Sequence, residues 1–302
     1  MHMICAFSSY AKEETTSGTR IPPDTPSNTS KGKRVVPAQE IICEARLTEK
    51  SPVINSGITW HVFDAILNKD RTLTSIKKLT GGRISLVLSP GNYLISASFG
   101  HVGVVKKLTV IQTRTIQKQV FIFNAGGVRL HSVYKPDSMI IDDELSFSIY
   151  ANPNQKPLII ADKIQPGTLV RLGSGNYQIT SHFGNYNAIV STIVKIEQGK
   201  IIDVIIQNRA AKATFKLVSE KGGEAIADTA WSVLTTSGDT IGESNSASPS
   251  MILSEGDYVV VSRNKDRIYS REFSVSSGKN TVVEVLMRQK RMDKNGKNKT
   301  KQ

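Results

Sequence analysis

Beyond about residue 40, apolar and polar residues alternate with period two in short runs, and Gly, Pro, Asn and Ser punctuate the gaps. Such alternation puts one face of an extended chain on a core and the other in water, as in a half-buried strand. The runs fall into three sets. Each set opens with an apolar run, at residues 41–47, 127–133 and 213–218. An alternating run with a central aromatic follows: Trp60 within 59–63, Phe147 within 145–149 and Trp231 within 230–234. Each set closes with two further runs, 108–110 and 115–123, 193–196 and 200–206, 273–275 and 280–286. The last two pairs turn through Gly199-Lys200 and Gly278-Lys279, which suit a hairpin. About six or seven strands per set are expected, the spacing of an antiparallel sandwich or barrel. No stretch sustains a 3.6-residue period with caps, so helix should be scarce.

The sets are repeats. Leu88-Ser-Pro-Gly91-Asn92-Tyr93, Leu172-Gly-Ser-Gly175-Asn176-Tyr177 and Leu253-Ser-Glu-Gly256-Asp257-Tyr258 align, with tyrosines 84 and 81 positions apart. The aromatic anchors precede these tyrosines by 33, 30 and 27 positions. A near-constant period of this size marks tandem modules. In each, glycine and Asn or Asp suit a turn with left-handed backbone. The tyrosine after them can bury its ring while its hydroxyl reaches a backbone group, as in a tyrosine corner. Gly91, Asn92, Tyr93, Gly175, Asn176, Tyr177, Gly256, Asp257 and Tyr258 are therefore expected to be structural turn and corner residues. The chain reads as all-β: three tandem antiparallel β-sandwich domains, Ig-like or prealbumin-like, at 40–123, 124–208 and 209–290.

The Leu-x-x-Gly-Asn/Asp-Tyr segment with its following Val and Ile alternation resembles the repeat segment of carboxypeptidase-regulatory-like, prealbumin-like and PEGA-type sandwiches. That resemblance covers the second half of each repeat and is closest from 256 to 285. It implies small antiparallel modules, accessory to other activities, on a bacterial exported protein, with no catalytic residues to carry over. The first two repeats depart from it with Phe99-Gly100 and Phe183-Gly184, where the third has Asn264-Lys265.

Composition adds the ends. From 12 to 39 the chain is Thr, Ser, Pro, Lys and Gly with almost no large apolar side chain, a disordered linker. Residues 1–11 look like the back half of a secretory signal peptide: apolar Met3 to Phe7, then Ser9-Tyr10-Ala11 at a cleavage position before Lys12-Glu13-Glu14. Export would make the protein periplasmic or otherwise extracytoplasmic. No apolar run is long enough for a membrane helix. The net charge is +13, of which +6 lies in residues 288–302, so 291–302 reads as a basic disordered tail. The rest is expected to be spread along the chain with no basic stripe interleaved with aromatics, which argues against nucleic acid and leaves an electrostatic contact through the tail. Once Cys5 leaves with the signal segment Cys43 stands alone, so no disulfide framework is expected.

Catalytic patterns are missing from the sequence. The histidines His2, His61, His101, His131 and His182 have no metal-ligand spacing, Gly173-Ser174-Gly175 lacks a nucleophile elbow's context, and Asp142-Asp143-Glu144 reads as a solvated turn. Gly81-Gly82, Gly126-Gly127 and Gly222-Gly223 read as further turns. No cofactor, metal or catalytic residue is assigned. Trp60 and Trp231 occupy inward positions, so Tyr186 and Tyr269 are the candidate surface binding residues. The leading reading is a non-enzymatic cell-envelope scaffold or binding protein, with an unidentified protein or polysaccharide as partner. The alternatives are a carbohydrate-active or other hydrolase with its site between domains, and an anionic-polymer binder working through the tail.

Overall fold

The computed structural model describes residues 37–113, 115–153 and 156–287. The signal remnant 1–11 with Cys5 and His2, the linker as far as residue 36, and the tail from 288 lie outside the described residues. Among the described residues the chain folds into 21 strands and no helix.

Each sandwich uses seven consecutive strands. The first has β1 (Gln39–Arg46), β2 (Ile58–Leu67), β3 (Leu73–Gly81), β4 (Ile84–Leu88), β5 (Gly91–Phe99), β6 (Val102–Val110) and β7 (Gln117–Ile122). The second has β8 (Ala125–Val133), β9 (Leu145–Ala151), β10 (Leu158–Ile164), β11 (Val170–Gly173), β12 (Gly175–Phe183), β13 (Ile189–Ile196) and β14 (Ile201–Gln207). The third has β15 (Ala210–Val218), β16 (Thr229–Thr235), β17 (Thr240–Ser244), β18 (Ser250–Ser254), β19 (Gly256–Asn264), β20 (Arg267–Val275) and β21 (Thr281–Leu286). In every sandwich a three-stranded sheet, in the order β4-β1-β7, β11-β8-β14 or β18-β15-β21, faces a four-stranded one. The four-stranded orders are β3-β2-β5-β6, β10-β9-β12-β13 and β17-β16-β19-β20. Pairing is antiparallel except between the first and last strands of each sandwich, β1–β7, β8–β14 and β15–β21, which run parallel.

The alternation in the sequence becomes three cores. Trp60, Phe147 and Trp231 are fully buried at equivalent points of β2, β9 and β16. The indole N–H of Trp60 donates to the Gly82 carbonyl at 3.2 Å and that of Trp231 to the Ser246 carbonyl at 3.0 Å, which removes the cost of burying a donor. Cys43 is buried in the first core, free of any disulfide, and burial pushes its thiol up to about 12. Beside it on β1, Glu44 is nearly buried and meets Lys118 at 2.9 Å and Arg83 at 3.6 Å. The hydrogen bond from Lys118 holds its carboxyl below the usual carboxylate range.

Three local expectations change. The run pairs at Gly199-Lys200 and Gly278-Lys279 are not hairpins, because β14 and β21 leave their neighbour's sheet to pair parallel with β8 and β15. Gly126 and Gly127 lie inside β8 rather than in a turn. A Cβ on Gly126 would sit 2.3 Å from the Glu197 carbonyl oxygen, so the strand needs glycine for close backbone approach. The Gly-Asn/Asp-Tyr tripeptides open β5, β12 and β19 instead of forming left-handed turns; of the nine residues only Gly175 has positive φ, 156°.

Candidate functional site

The tripeptides are held by their side chains. Tyr93, Tyr177 and Tyr258 donate to the carbonyls of Ser89, Gly173 and Ser254, each four residues upstream, at 2.8, 3.1 and 2.9 Å. Burial raises the Tyr93 and Tyr177 phenols above their ordinary range. Asn92 and Asp257 accept from Thr109 and Ser274, their partners across the strand pair, at 2.8 and 2.6 Å. Asn176 faces Lys195 in the same register. The polar residue of the motif thus meets the neighbouring strand, and its preference for turns is not used.

Both tyrosines expected at the surface lie elsewhere. Tyr269 is 6% exposed, because β20 follows β19 after a two-residue turn and places it inward, opposite Ser262. Its hydroxyl has no hydrogen-bond partner among the described residues. Tyr186 follows β12 and packs on the third sandwich: a Cβ on Gly242 would stand 2.3 Å from its ring. It is a wedge between modules, not a free platform.

That wedge belongs to a repeated joint. Two residues connect β7 to β8 and β14 to β15, and the connector carbonyls of Asn124 and Arg209 accept from Ser174 and Glu255 at 2.9 and 2.8 Å. At each joint the glycine after the tyrosine strand seats on the next sandwich. A Cβ on Gly100 (φ 62°) would lie 3.1 Å from Cβ of Arg171, and one on Gly184 (φ 73°) 2.9 Å from Cβ of Ile252. Arg171 and Ile252 occupy the same position of β11 and β18. In the other direction, left-handed Gly199 and Gly278 pack back on Thr48 and on the Tyr134 ring, where an added Cβ would stand at 3.1 and 3.2 Å. The Phe-Gly pairs, a departure when read as sequence, are thus where one module receives the next.

The second joint has further ties. Lys212 pairs with Glu144 at 2.9 Å, which raises the lysine's pKa, and the Asn187 side chain donates to the Tyr258 hydroxyl at 2.9 Å while accepting from the Ser254 amide at 3.1 Å. Beside it a cleft of about 490 Å³ is lined by Asp143, Glu144, Asp162, Lys163, His182 and Tyr186, among others. Ser148 donates to Asp162 at 2.6 Å and meets His182 Nε2 at 3.1 Å. The serine's single proton is committed to the carboxylate, so the imidazole must donate to the serine. A serine nucleophile needs the reverse, with the histidine accepting its proton. The same Ser148 bond holds Asp162 below the usual carboxylate range.

Asp142 accepts from the Glu144 amide at 2.9 Å within its own turn. His101 lies exposed at the first joint, its amide donating to the Arg171 carbonyl at 3.2 Å, and His131 stands 3.8 Å from Asp203. Among the described residues no three metal-ligating side chains cluster, and no helix is long and apolar enough to cross a membrane.

One surface was invisible in the linear sequence. The charge outside the tail is not evenly spread: residues 37–123 hold eleven Lys and Arg against five Asp and Glu, 124–208 seven against seven, and 209–287 nine against ten. On the outer face of the four-stranded sheet of the first sandwich, cross-strand register builds the row Lys78, His61, Ser96, Val105 and beside it the row Ser75, Phe63, Leu94, Lys107. His61 and Phe63 touch with ring centroids 4.3 Å apart, and His61 Nε2 meets Ser75 Oγ at 2.9 Å. Burial, and then the Lys78 charge, lower the His61 pKa, so the ring is neutral at pH 7.

Residues 212–287, the third sandwich, match the model of a Rhizobiales growth-associated tandem repeat domain. A comparison with curated proteins returns no match. Among solved structures the chain is similar to the Bacillus anthracis TIE protein, at 16% identity and TM-score 0.26, covering 83% of this chain and 50% of that one. It therefore spans half the length of that protein. It is also similar to a streptococcal ancillary pilin, at 12% identity and TM-score 0.28, covering 83% and 99%. The minor pilin of Streptococcus agalactiae is similar at 12% and TM-score 0.29, covering 56% and 95%. These likenesses are too distant to carry function; the match of the third sandwich is to a domain that occurs in tandem, as the sandwiches do here.

Proposed function

We propose that the chain is a non-enzymatic, exported cell-envelope protein, its three sandwiches forming an array that scaffolds or binds a protein or polysaccharide. The carrying observation is the repeated joint: equivalent glycines seat on equivalent strand positions at both junctions, which holds modules in order rather than leaving them on free linkers. The two-residue connectors, 123–124 and 208–209, support module boundaries at 123/124 and 208/209. The resemblance to carboxypeptidase-regulatory-like and PEGA-type accessory modules is in keeping with this role. So is the description of the matched repeat as growth-associated, which fits work at an expanding envelope.

Export rests on the apolar start and the Ser9-Tyr10-Ala11 cleavage pattern. Cell fractionation with N-terminal sequencing tests it. The expected product begins at Lys12 in the extracytoplasmic fraction; a chain that keeps Met1 and stays in the cytoplasm overturns the reading.

A further inference from the structure

The outer sheet faces of the three sandwiches carry different chemistry at equivalent places. In the third, Ser232 donates to Glu243 at 3.3 Å, and Glu272 stands opposite Val259. In the second, Asp162 accepts a hydrogen bond from Ser148 at 2.6 Å. In the first, the two rows described and the next one, Thr80, Thr59, Ser98 and Gly103, contain no carboxylate. They offer two cations at diagonal corners, two touching aromatic rings between them, and a border of hydroxyls. Lys78 and Lys107 are exposed, Val105 is 59% exposed, and the two rings are half-buried.

A ligand matched to this face needs negative charge, an apolar flank and many hydroxyl groups. A sugar acid polymer has all three: carboxylates for Lys78 and Lys107, the C–H side of the pyranose for Phe63 and neutral His61, and hydroxyls for Ser75, Ser96 and Thr59. A single-stranded nucleic acid would use the rings, but it is recognised through a basic groove that tracks every phosphate. Here hydroxyls outnumber cations, and no arginine stands in the rows. We infer that the outer face of the four-stranded sheet of the first sandwich binds an acidic polysaccharide, with Phe63 and His61 as platform and Lys78 and Lys107 as carboxylate partners. The inference deepens the envelope reading and rests on it for the choice of partner.

The test is retention of the purified full chain in affinity electrophoresis on polygalacturonate, on neutral dextran and with single-stranded oligothymidylate. Binding to polygalacturonate alone is expected, weakening with salt as charge contacts are screened. Phe63→Ala should weaken it about fivefold to tenfold, the size of one lost ring contact, and Phe63→Tyr should keep it. The double change Lys78→Gln with Lys107→Gln should weaken it about tenfold and flatten the salt dependence. Both lysines are exposed, so that pair stays informative even where Phe63→Ala disturbs folding. The basic tail is intact in every variant; equal retention of all of them overturns the inference and moves binding to the tail. Tighter binding of oligothymidylate than of polygalacturonate overturns it in favour of nucleic acid, and retention on dextran removes the role of charge. A cytoplasmic location would sink the export reading and leave these affinities as they are, whereas their loss would leave export standing.

Discussion

The two joints share a geometry and differ in content. At the first, Gly100 seats on Arg171, whose guanidinium lies 4.5 Å from the Phe99 ring, and the backbones meet where the His101 amide donates to the Arg171 carbonyl at 3.2 Å. At the second, the same positions hold Gly184 and Ile252. Ile252 is 1% exposed and joins the core of the second sandwich although it belongs to the third. Tyr134 against Gly278, Tyr186 against Gly242, the Asn187–Tyr258 bond and the Glu144–Lys212 pair add further ties at this joint. A cation over a ring leaves its charge in water and contributes on the order of 1 kcal/mol, whereas a buried isoleucine contributes several times that. One backbone design therefore carries two contents: a cation over a ring on β11 at the first joint, and at the second an isoleucine of β18 packed into the neighbouring core.

Substitution at that position is the strongest test. Ile252→Ala should cost about 2–5 kcal/mol and uncouple the second and third sandwiches, while Arg171→Ala should cost about 0.5–1 kcal/mol. Denaturant unfolding with module-resolved hydrogen exchange separates the two, and equal losses would erase the distinction between joints. Next in size, Gly184→Ala forces a Cβ toward Ile252 at positive φ and should cost about 1–3 kcal/mol, more than Gly100→Ala. Tyr258→Phe loses the bond to the Ser254 carbonyl and the one from Asn187, so about 1–2 kcal/mol is expected by urea titration. Tyr93→Phe and Tyr177→Phe should lose about 1 kcal/mol each, confined to their own sandwiches.

A fourth effect concerns the first sandwich. The depressed Glu44 carboxyl adds stability that is full above the unfolded value near pH 4.3, and it is lost as pH falls through the lower folded value. Cys43, inert while folded, reports the opening: labelling of the first sandwich, taken relative to a free thiol at the same pH, should accelerate below about pH 4, and Glu44→Gln should flatten that dependence. The smallest change is Tyr269→Phe. It removes a buried hydroxyl that has no partner, so melting should stay within about 0.5 kcal/mol of the wild type or rise.

Much of the fold could be read because strands announce themselves locally. Trp60, Phe147 and Trp231 marked inward faces, and the recurring tyrosines set the period. What escaped depends on pairing. Phe99-Gly100 and Phe183-Gly184 looked like deviations until Arg171 and Ile252 came to rest on the glycines. Tyr269 reads as a surface residue in the sequence, but the two-residue β19–β20 turn sets a register that places it inward, opposite Ser262. Lys78, His61, Phe63 and Lys107 sit on three strands up to 46 positions apart, and only the register of β2, β3, β5 and β6 makes them neighbours.

The parallel pairing of β1 with β7, β8 with β14 and β15 with β21 has a mechanical consequence. Because both strands run the same way, the chain enters each sandwich at one end and leaves at the other. Tension along the chain pulls the pair lengthwise in opposite directions, loading six or seven register positions together in shear instead of opening them one by one. Forced unfolding is governed by the barrier rather than by equilibrium stability. Stretched from its ends, each sandwich should therefore yield first at this sheared pair and not at its core.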